Sequence, residues 1–152
     1  WKEYQNPKKA KEIDDEKIKE WFYNRKENIA IVCGEASNNV IVIDFDDWGL
    51  YEKFLKLLEQ KYTAYKSIID NTRKEKSGKG AHIFLRLKII NETDKEYLRT
   101  QKQFVNKVDI LGNGSIVVVA PSIHKSGVKY ELIPPINNPI QEISIDSFKV
   151  FL

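Results

Sequence analysis

Apolar positions recur with two different periods along the chain, and each period predicts a different kind of element. In DDEKIKEWFYN, an acidic N-cap at Asp14 or Asp15 precedes an amphipathic helix whose predicted face carries Ile18, Trp21, Phe22 and Arg25. A second helical face runs from Leu50 to Leu58, and Asp47 is the predicted N-cap of that helix. The stretch ISIDSFKVFL predicts the start of a final helix.

Runs rich in β-branched and aromatic residues predict the strands. NIAIVC and NVIVIDF flank the turn-forming residues GEASNN, which predicts an antiparallel hairpin over residues 29–46. VDIL and SIVVVA flank GNG, which predicts a second hairpin over residues 107–120. Further strands are predicted for AYKSIID, AHIFLRLKI and VKYELI, with a basic glycine loop in RKEKSGKG and a partly helical stretch in NETDKEYLRTQKQFV. This strand-rich order without regular alternation predicts an α+β fold with mixed or antiparallel sheets and flanking helices.

Composition narrows the class of protein. The chain has 152 residues, 41% hydrophobic and 31% charged, which is typical of one globular domain with a core. No apolar run approaches the roughly 20 residues of a membrane span, and no signal-peptide pattern opens the chain. A single cysteine, Cys33, excludes an internal disulfide and the usual cysteine-rich zinc site. We therefore expect a cytoplasmic protein without a membrane partner and without structural zinc.

Two further properties bear on the domain and its partners. The net charge of +3 is mildly basic and alone says little about nucleic-acid binding. The chain contains no Met and opens on Trp1. We therefore expect residues 1–152 to form a single domain cut from a longer protein.

The stretch VIVIDFDD, residues 40–47, ends an apolar strand with three carboxylates. Because side chains alternate along a strand, Asp44 and Asp46 are predicted to share one face while Phe45 enters the core. Two carboxylates on one face raise each other's pKa unless a cation lies between them, and Mg²⁺ or Mn²⁺ suits oxygen ligands. From this stretch alone, a solvated acidic strand end is an equally good interpretation.

Two basic loops and one further acid add candidate chemistry. In KSGKGAH, residues 76–82, two glycines can present backbone N–H groups to an anion, Lys79 adds charge, and His82 begins the next strand. APSIHKSG, residues 120–127, offers hydroxyl, imidazole and ammonium groups that suit a phosphate or a sugar. Asp109 lies alone between β-branched residues in VDI. Taken singly, these stretches are also typical of an exposed loop, a surface turn and a cap.

Together, these groups are typical of two-metal phosphoryl or nucleotidyl transfer. They do not fit a Ser-His-Asp hydrolase, because the chain has no nucleophile elbow.

The same motifs, in the same order, resemble the catalytic domain of the archaeo-eukaryotic primase superfamily, in its bifunctional primase/polymerase branch. NIAIVCGEASNNVIVIDFD resembles the family's strand, G-x-x-S turn and hydrophobic strand ending in D-x-D. SGKGAHIF resembles the Gly-rich loop that ends in the motif II histidine, and VDIL resembles motif III with its aspartate. GNGSIVVVAPSIHKSGVKYEL resembles the signature strand, P-S-x-H and Gly-x-x-Tyr tail. The similarity covers nearly the whole chain.

The resemblance implies a fold with an RRM-like core and a DNA primase/polymerase activity that proceeds by two-metal nucleotidyl transfer. The implied ligands of two divalent ions, Mg²⁺ or Mn²⁺, are Asp44, Asp46 and Asp109. The implied nucleotide-binding residues are Arg73, Ser77, Lys79 and His82 for the triphosphate, with Ser122 and His124 for the triphosphate or the sugar. The implied partners are a single-stranded DNA template or primer–template, dNTP or NTP, and a helicase domain in the same parent protein.

The chain departs from the family pattern at one position of motif II. Many relatives carry a small hydroxyl residue two positions before the motif II histidine, where this chain has Gly80, and Ser77 lies further back.

Two rival interpretations also remain. A haloacid-dehalogenase-type phosphatase would use Asp44 as nucleophile and Asp46 as acid/base, but it alternates strands and helices. A degenerate primase/polymerase domain would bind nucleotide or single-stranded DNA without turnover, although all three expected carboxylates are present.

Overall fold

A computed structural model describes residues 2–23 and 27–152 of the chain. Within these residues the α-helices are α1 (Pro7–Ala10), α2 (Asp15–Phe22), α3 (Trp48–Lys61), α4 (Thr63–Asn71) and α5 (Ile145–Lys149). The strands are β1 (Ile29–Val32), β2 (Val40–Phe45), β3 (Lys74–Lys76), β4 (Ala81–Lys88), β5 (Gln101–Val105), β6 (Val108–Leu111), β7 (Ile116–Val119), β8 (Glu131–Leu132) and β9 (Gln141–Ser144). Short 3-10 helices occupy Lys2–Gln5, Glu35–Ser37 and Glu92–Leu98. No helix of the described residues is long and apolar enough to cross a membrane.

The strands of the described residues form two sheets. The main sheet has the order β5-β6-β2-β4-β3-β8, and β9 also pairs with β4. Its neighbours are antiparallel except β9, which runs parallel to β4 along residues 85–88. The second sheet is the antiparallel pair β1 and β7. The predicted α+β class with a mixed sheet and flanking helices is confirmed.

One face of the main sheet packs against helices. Ile43 and Phe45 of β2 belong to one buried apolar cluster with Leu58 of α3, Ile69 of α4 and Phe148 of α5. Because side chains alternate along β2, this cluster accounts for every second residue of the strand. The helices therefore bury the face that carries no acidic residue of β2.

The opposite face of the main sheet holds a smaller core. Val42 of β2 joins Phe84 of β4, Leu111 of β6 and Val117 of β7 in a second buried cluster. The β1–β7 sheet thus covers part of this face. Asp44 follows Val42 by two positions on the same face, and there a polar cleft begins.

The predicted helix caps are confirmed. Asp14 accepts a hydrogen bond of 2.8 Å from the Lys17 N–H at the start of α2. Asp47 accepts one of 3.1 Å from the Leu50 N–H at the start of α3. The final helix is also present as α5. Arg25, which was assigned to the face of α2, lies outside the described residues.

Both predicted hairpins are wrong. β1 pairs with β7, and β2 pairs with β4 and β6, so residues 29–46 contribute to two different sheets. The segments on either side of the turn share one isolated antiparallel bridge, between Gly34 and Val40. Residues 107–120 are divided in the same way, because β6 belongs to the main sheet and β7 to the small one. The turn residues reverse the chain as expected, but each turn carries it from one layer to the other.

The predicted strand in AYKSIID is also wrong, because these residues belong to helix α4. Tyr65, Ile68 and Ile69 follow the helical spacing, and all three pack into the cluster that covers the main sheet. The basic loop is shorter than predicted, since Lys74–Lys76 forms β3. The predicted strand in VKYELI is reduced to Glu131–Leu132. The stretch predicted to be partly helical has the 3-10 helix Glu92–Leu98, and its end forms β5.

Candidate active site

The register of the main sheet places four ionisable residues in one transverse row. Asp44 of β2 lies opposite Asp109 of β6 on one side and opposite His82 of β4 on the other. His82 in turn lies opposite Glu75 of β3. Residues directly opposite each other in a sheet point to the same face. Three acids and one imidazole therefore cross four neighbouring strands on the face away from helices α3 to α5.

A cleft of about 670 Å³ opens along this row. Six of the predicted site residues line it, namely Asp44, Asp46, Ser77, Lys79, His82 and His124. It also exposes Gly78 of the predicted anion-binding loop and three residues that were given no ligand role, namely Asp47, Lys107 and Tyr130. Asp44 and Asp46 thus both reach this cleft, as a shared side of the strand end predicts, although Asp47 reaches it too.

Three predicted site residues do not line the cleft. Arg73 is ion-paired with the buried Glu75 carboxylate, to which its Nε donates at 3.0 Å. The Ser122 hydroxyl accepts from the Ile29 N–H at 2.8 Å, so it ties its loop to β1. Asp109 stands in the transverse row, and its carboxylate is engaged with β5. A direct role of Arg73 or Ser122 toward a ligand would require these contacts to open.

Asp109 is held by two donors from β5. The Lys102 Nζ lies 2.7 Å from one carboxylate oxygen, and the Gln103 N–H donates to the other at 2.6 Å. Gln103 adopts a left-handed φ of 50°, where the pairing of β5 with β6 shifts register. The irregular strand thus directs a backbone donor and an ammonium group at the same carboxylate.

The acidic residues of the cleft influence one another. Partial desolvation by the cleft wall and the charges of Asp44 and Asp109 raise the pKa of the Asp46 carboxyl. Asp46 nevertheless lies exposed just beyond the end of β2. A shift of this sign is expected for a partly desolvated carboxyl that lies close to two carboxylates.

His82 is a buried cation within this row. Burial alone would lower the pKa of its imidazole, but attraction to Asp44 and Glu75 outweighs burial and raises the pKa to about 9. Nε2 lies 3.4 Å from an Asp44 oxygen, and Nδ1 lies 3.9 Å from a Glu75 oxygen. The Glu75 contribution is a charge interaction, since 3.9 Å exceeds hydrogen-bond distance. The imidazole is therefore protonated at neutral pH.

The glycine loop after β3 forms a closed turn at the edge of the cleft. The Ser77 N–H donates to the Gly80 carbonyl at 2.9 Å, and the Gly80 N–H donates to the Ser77 Oγ at 3.1 Å. Within the described residues, the N–H groups of Gly78 and Lys79 donate no hydrogen bond. Two unpaired N–H groups beside the Lys79 ammonium are suited to an anion such as a phosphate.

Close packing leaves no room for a side chain at Gly80. A Cβ atom there would lie 1.7 Å from the Phe45 carbonyl oxygen and 2.8 Å from the Asp47 nitrogen. The Trp48 N–H also donates to the Lys79 carbonyl at 3.0 Å. The glycine loop therefore lies directly against the end of β2, next to its carboxylates.

The loop after β7 supplies the opposite wall. A Cβ atom on Gly78 would lie 2.6 Å from the Nδ1 of His124, so the two loops are in contact. The His124 Nδ1 accepts from the Ser126 N–H at 3.1 Å, which leaves the proton of the neutral ring on Nε2. The Tyr130 ring packs between the two histidines, with centroids 5.8 Å from His82 and 6.1 Å from His124.

Sequence reasoning gave no role to Glu75, Lys107 and Tyr130. Tyr130 ends the Gly-x-x-Tyr tail, so the motif contained a signal that pointed to it. Lys107 has a left-handed φ of 63° in the turn between β5 and β6, a position that nothing in its residue type indicates. Glu75 is a single acid within a basic stretch, and its place in the row depends on strand register.

The fit of divalent ions can be judged from the donor set. In residues 2–23 and 27–152, no three His, Cys, Asp or Glu side chains are already arranged to hold a metal ion. Asp44, Asp46 and Asp109 nevertheless offer the carboxylate oxygens that hard cations prefer. Their neighbours in the row are cationic at both ends, Lys102 beside Asp109 and His82 beside Asp44. The carboxylates themselves have no cation between them, so the chemistry of the site suits added positive charge.

The described residues therefore place a row of carboxylates on the sheet of an α+β protein, beside a glycine loop with two unpaired N–H groups. The family model of the bifunctional DNA primase/polymerase N-terminal domain matches residues 4–144. The chain therefore belongs to this family, and a DNA primase/polymerase type of function follows from that membership. None of the curated proteins searched matches the chain.

We expect Gly80→Ala to destabilise the protein, because the added methyl group would collide with the Phe45 backbone. Overpacking of this kind costs on the order of 1–3 kcal/mol, measurable by urea denaturation. Gly49→Ala is the matched control, since its Cβ would approach only the Asp47 side chain, at 3.1 Å, and no backbone atom. A Gly80→Ala protein as stable as the wild type would contradict the packing of this loop on β2.

Proposed function

We propose that this domain performs template-directed nucleotidyl transfer with two divalent ions, Mg²⁺ or Mn²⁺, as a DNA primase or DNA polymerase. The observation that carries the proposal is the transverse register of β6, β2 and β4. It brings Asp109, Asp44 and His82 into one row, and the glycine loop closes over the end of that row. Family membership supplies the reaction class, and the row supplies groups for both metal and triphosphate.

The carboxylates of Asp44, Asp46 and Asp109 would hold the ions. When bound, such ions lower the pKa of a primer 3′-hydroxyl and neutralise the triphosphate oxygens. The surroundings of Asp46 support this assignment: partial desolvation and the charges of Asp44 and Asp109 raise its pKa despite the opposing charges of Lys102 and His82. Asp109 would exchange the Lys102 ammonium for a metal ion, since Lys102 is 63% exposed and can move into solvent.

The glycine loop and His82 would bind the triphosphate. One short turn, closed by two hydrogen bonds between Ser77 and Gly80, carries three donors. These are the N–H groups of Gly78 and Lys79 and the Lys79 ammonium. The buried imidazole of His82 adds a fixed donor, and fixed donors stabilise the negative charge that develops on a leaving pyrophosphate. His124 would contribute its Nε2–H to a phosphate or to the sugar from the opposite wall.

The polymer partner would be a single-stranded DNA template or a primer–template. Lys107 and Lys79 lie at the cleft, and lysines in such positions bind phosphates in a salt-sensitive manner. The incoming substrate would be a dNTP or an NTP. We further propose that a helicase domain accompanies this domain in its parent protein.

The phosphatase interpretation is not supported by the sheet. β2 is antiparallel to both of its neighbours, β4 and β6. An alternation of strands and helices would instead produce parallel neighbours joined by crossover helices. The non-catalytic interpretation differs from the proposal in turnover alone, so an activity assay separates the two.

The decisive assay incubates the protein with unprimed or primed single-stranded DNA, labelled nucleotides and Mn²⁺ or Mg²⁺, and measures product lengths. We expect extension products with at least one of the two DNA substrates. Nucleotide and DNA binding without any product would favour the non-catalytic interpretation. Phosphate release from small phosphomonoesters would favour the phosphatase.

We expect Asp46→Asn to reduce synthesis to background while the protein remains folded, because Asp46 is exposed and its charge is repelled by its neighbours. Asp47→Asn is the matched control, since asparagine caps a helix about as well as aspartate. Product formation and a thermal melt should be measured on both variants. Normal synthesis by Asp46→Asn would remove this residue from the metal site.

We expect His82→Ala to slow incorporation by on the order of 10²–10³, the usual loss for one donor that stabilises developing charge. Mn²⁺ affinity and DNA affinity should remain near the wild-type values. Single-turnover incorporation at saturating DNA, beside the two binding titrations, tests this. Near-normal rates in a folded His82→Ala protein would assign the imidazole to the structure alone.

We expect Lys102→Ala to tighten Mn²⁺ binding, because it removes a cation that competes for the Asp109 carboxylate. Exposed ion pairs contribute about 0.2–1 kcal/mol, so the gain should be roughly 1.5- to 5-fold. Titration followed by electron paramagnetic resonance measures the free ion directly. Lys95→Ala, which breaks a pair with Glu92, is the control and should change nothing. Weaker Mn²⁺ binding by Lys102→Ala would contradict the competition.

A further inference from the structure

Glu75 is an acid in an unusual position. Its side chain is 0% exposed, although carboxylates are rarely buried fully unless they are paired. One carboxylate oxygen accepts from the Arg73 guanidinium, and the other accepts from the Ala120 N–H at 3.1 Å. Glu75 thus links β3 to the loop that carries His124, yet it lines no part of the cleft itself.

His82 has an unfilled hydrogen-bonding position on the side of Glu75. The Nδ1 of His82 is buried and has no hydrogen-bond partner in the described residues. A Glu75 oxygen lies 3.9 Å away, while Nε2 on the other side of the ring faces an Asp44 oxygen at 3.4 Å. Glu75 therefore stands behind the imidazole, and a shift of about 1 Å would make a hydrogen bond to Nδ1.

A purely structural role for Glu75 is a weaker explanation of this arrangement. Buried ion pairs contribute little net stability, since the desolvation of both charges offsets their attraction. Arg73 is 29% exposed and its guanidinium also lies over the Phe84 ring at 5.5 Å, so it has other means of stabilisation. The register that places Glu75 opposite His82 has a direct consequence for the imidazole and none for the packing of Arg73.

We propose that Glu75 is a positioning residue for nucleotide binding, which orients the His82 imidazole from behind so that Nε2 faces the cleft. Arg73 and the Ala120 N–H fix the carboxylate, and the carboxylate fixes the ring. Arg73 then acts on the triphosphate through Glu75 and His82 instead of by contact. This inference rests on the proposed function, because it takes His82 to be a triphosphate ligand.

The test compares Glu75→Gln with the wild type for binding of inorganic tripolyphosphate in EDTA, by calorimetry, and for nucleotide KM and kcat. Glutamine keeps the size of the side chain and an oxygen for the Ala120 N–H, but it loses the charge. We expect tripolyphosphate affinity to fall about tenfold, a typical loss for one charge-assisted contact. KM for the nucleotide should rise by a similar factor with a smaller change in kcat, and Mn²⁺ affinity should be unchanged.

Two further variants show whether charge at this position is responsible. Glu75→Asp retains the carboxylate and should recover part of the lost affinity. Glu131→Gln makes the same change of net charge on the neighbouring strand β8, at an exposed residue, and should bind tripolyphosphate normally. A Glu75→Asp protein no better than Glu75→Gln, or an equal loss in Glu131→Gln, would overturn the inference.

His82→Ala separates failure of this inference from failure of the proposed function. Normal tripolyphosphate binding by folded Glu75→Gln, together with a loss in His82→Ala, would overturn the role of Glu75 and leave His82 in place. Normal binding by both variants would remove His82 from the triphosphate site and overturn both. If Glu75→Gln does not fold, the Arg73→Gln/Glu75→Gln double variant removes both charges, and the same loss is expected from it.

Discussion

The pairing register of β2 with its two neighbours is the constraint on which the site depends. It sets Asp44 beside Asp109 and His82, and the same register sends Ile43 and Phe45 into the core beneath the helices. A slip of one residue would exchange the two faces of the strand. Apolar burial on both faces of β2 therefore fixes the positions of the charged groups at its end.

The order of charges along the transverse row has a further consequence. From β5 to β3 the side chains run Lys102, Asp109, Asp44, His82 and Glu75, so cation and anion alternate except where two aspartates adjoin. Only at that junction is the field unbalanced, and Asp46 extends it toward solvent. The other charges of the row are balanced by a neighbouring residue of opposite sign. A cation from solution would therefore be attracted most strongly to the two adjoining aspartates.

Much of the local structure follows from the sequence, whereas the partners of each strand do not. Alternation predicts the shared face of Asp44 and Asp46, and cap chemistry predicts the starts of α2 and α3. Turn residues specify that a chain reverses, but not whether it returns to the same sheet, so both hairpins were predicted wrongly. Helix α4 was mistaken for a strand because it is short and its apolar residues include two adjacent isoleucines, a β-branched residue typical of strands. No sequence motif marks Glu75. Its importance depends on its burial and on its position opposite His82, and both appear only in the folded sheet.

The candidate site has two parts, the carboxylate row and the pair of loops, and different elements of the fold hold each part in place. The carboxylates stand on paired strands, whereas the glycine loop and the His124 loop are held by contacts with each other and with the end of β2. Gly78 admits the His124 ring, and Gly80 admits the Phe45 carbonyl, so neither close approach tolerates a side chain. His82 belongs to both parts, because it is the second residue of β4 and follows the glycine loop closely. A displacement of either loop would therefore act on this imidazole first, because His82 contacts the walls of both.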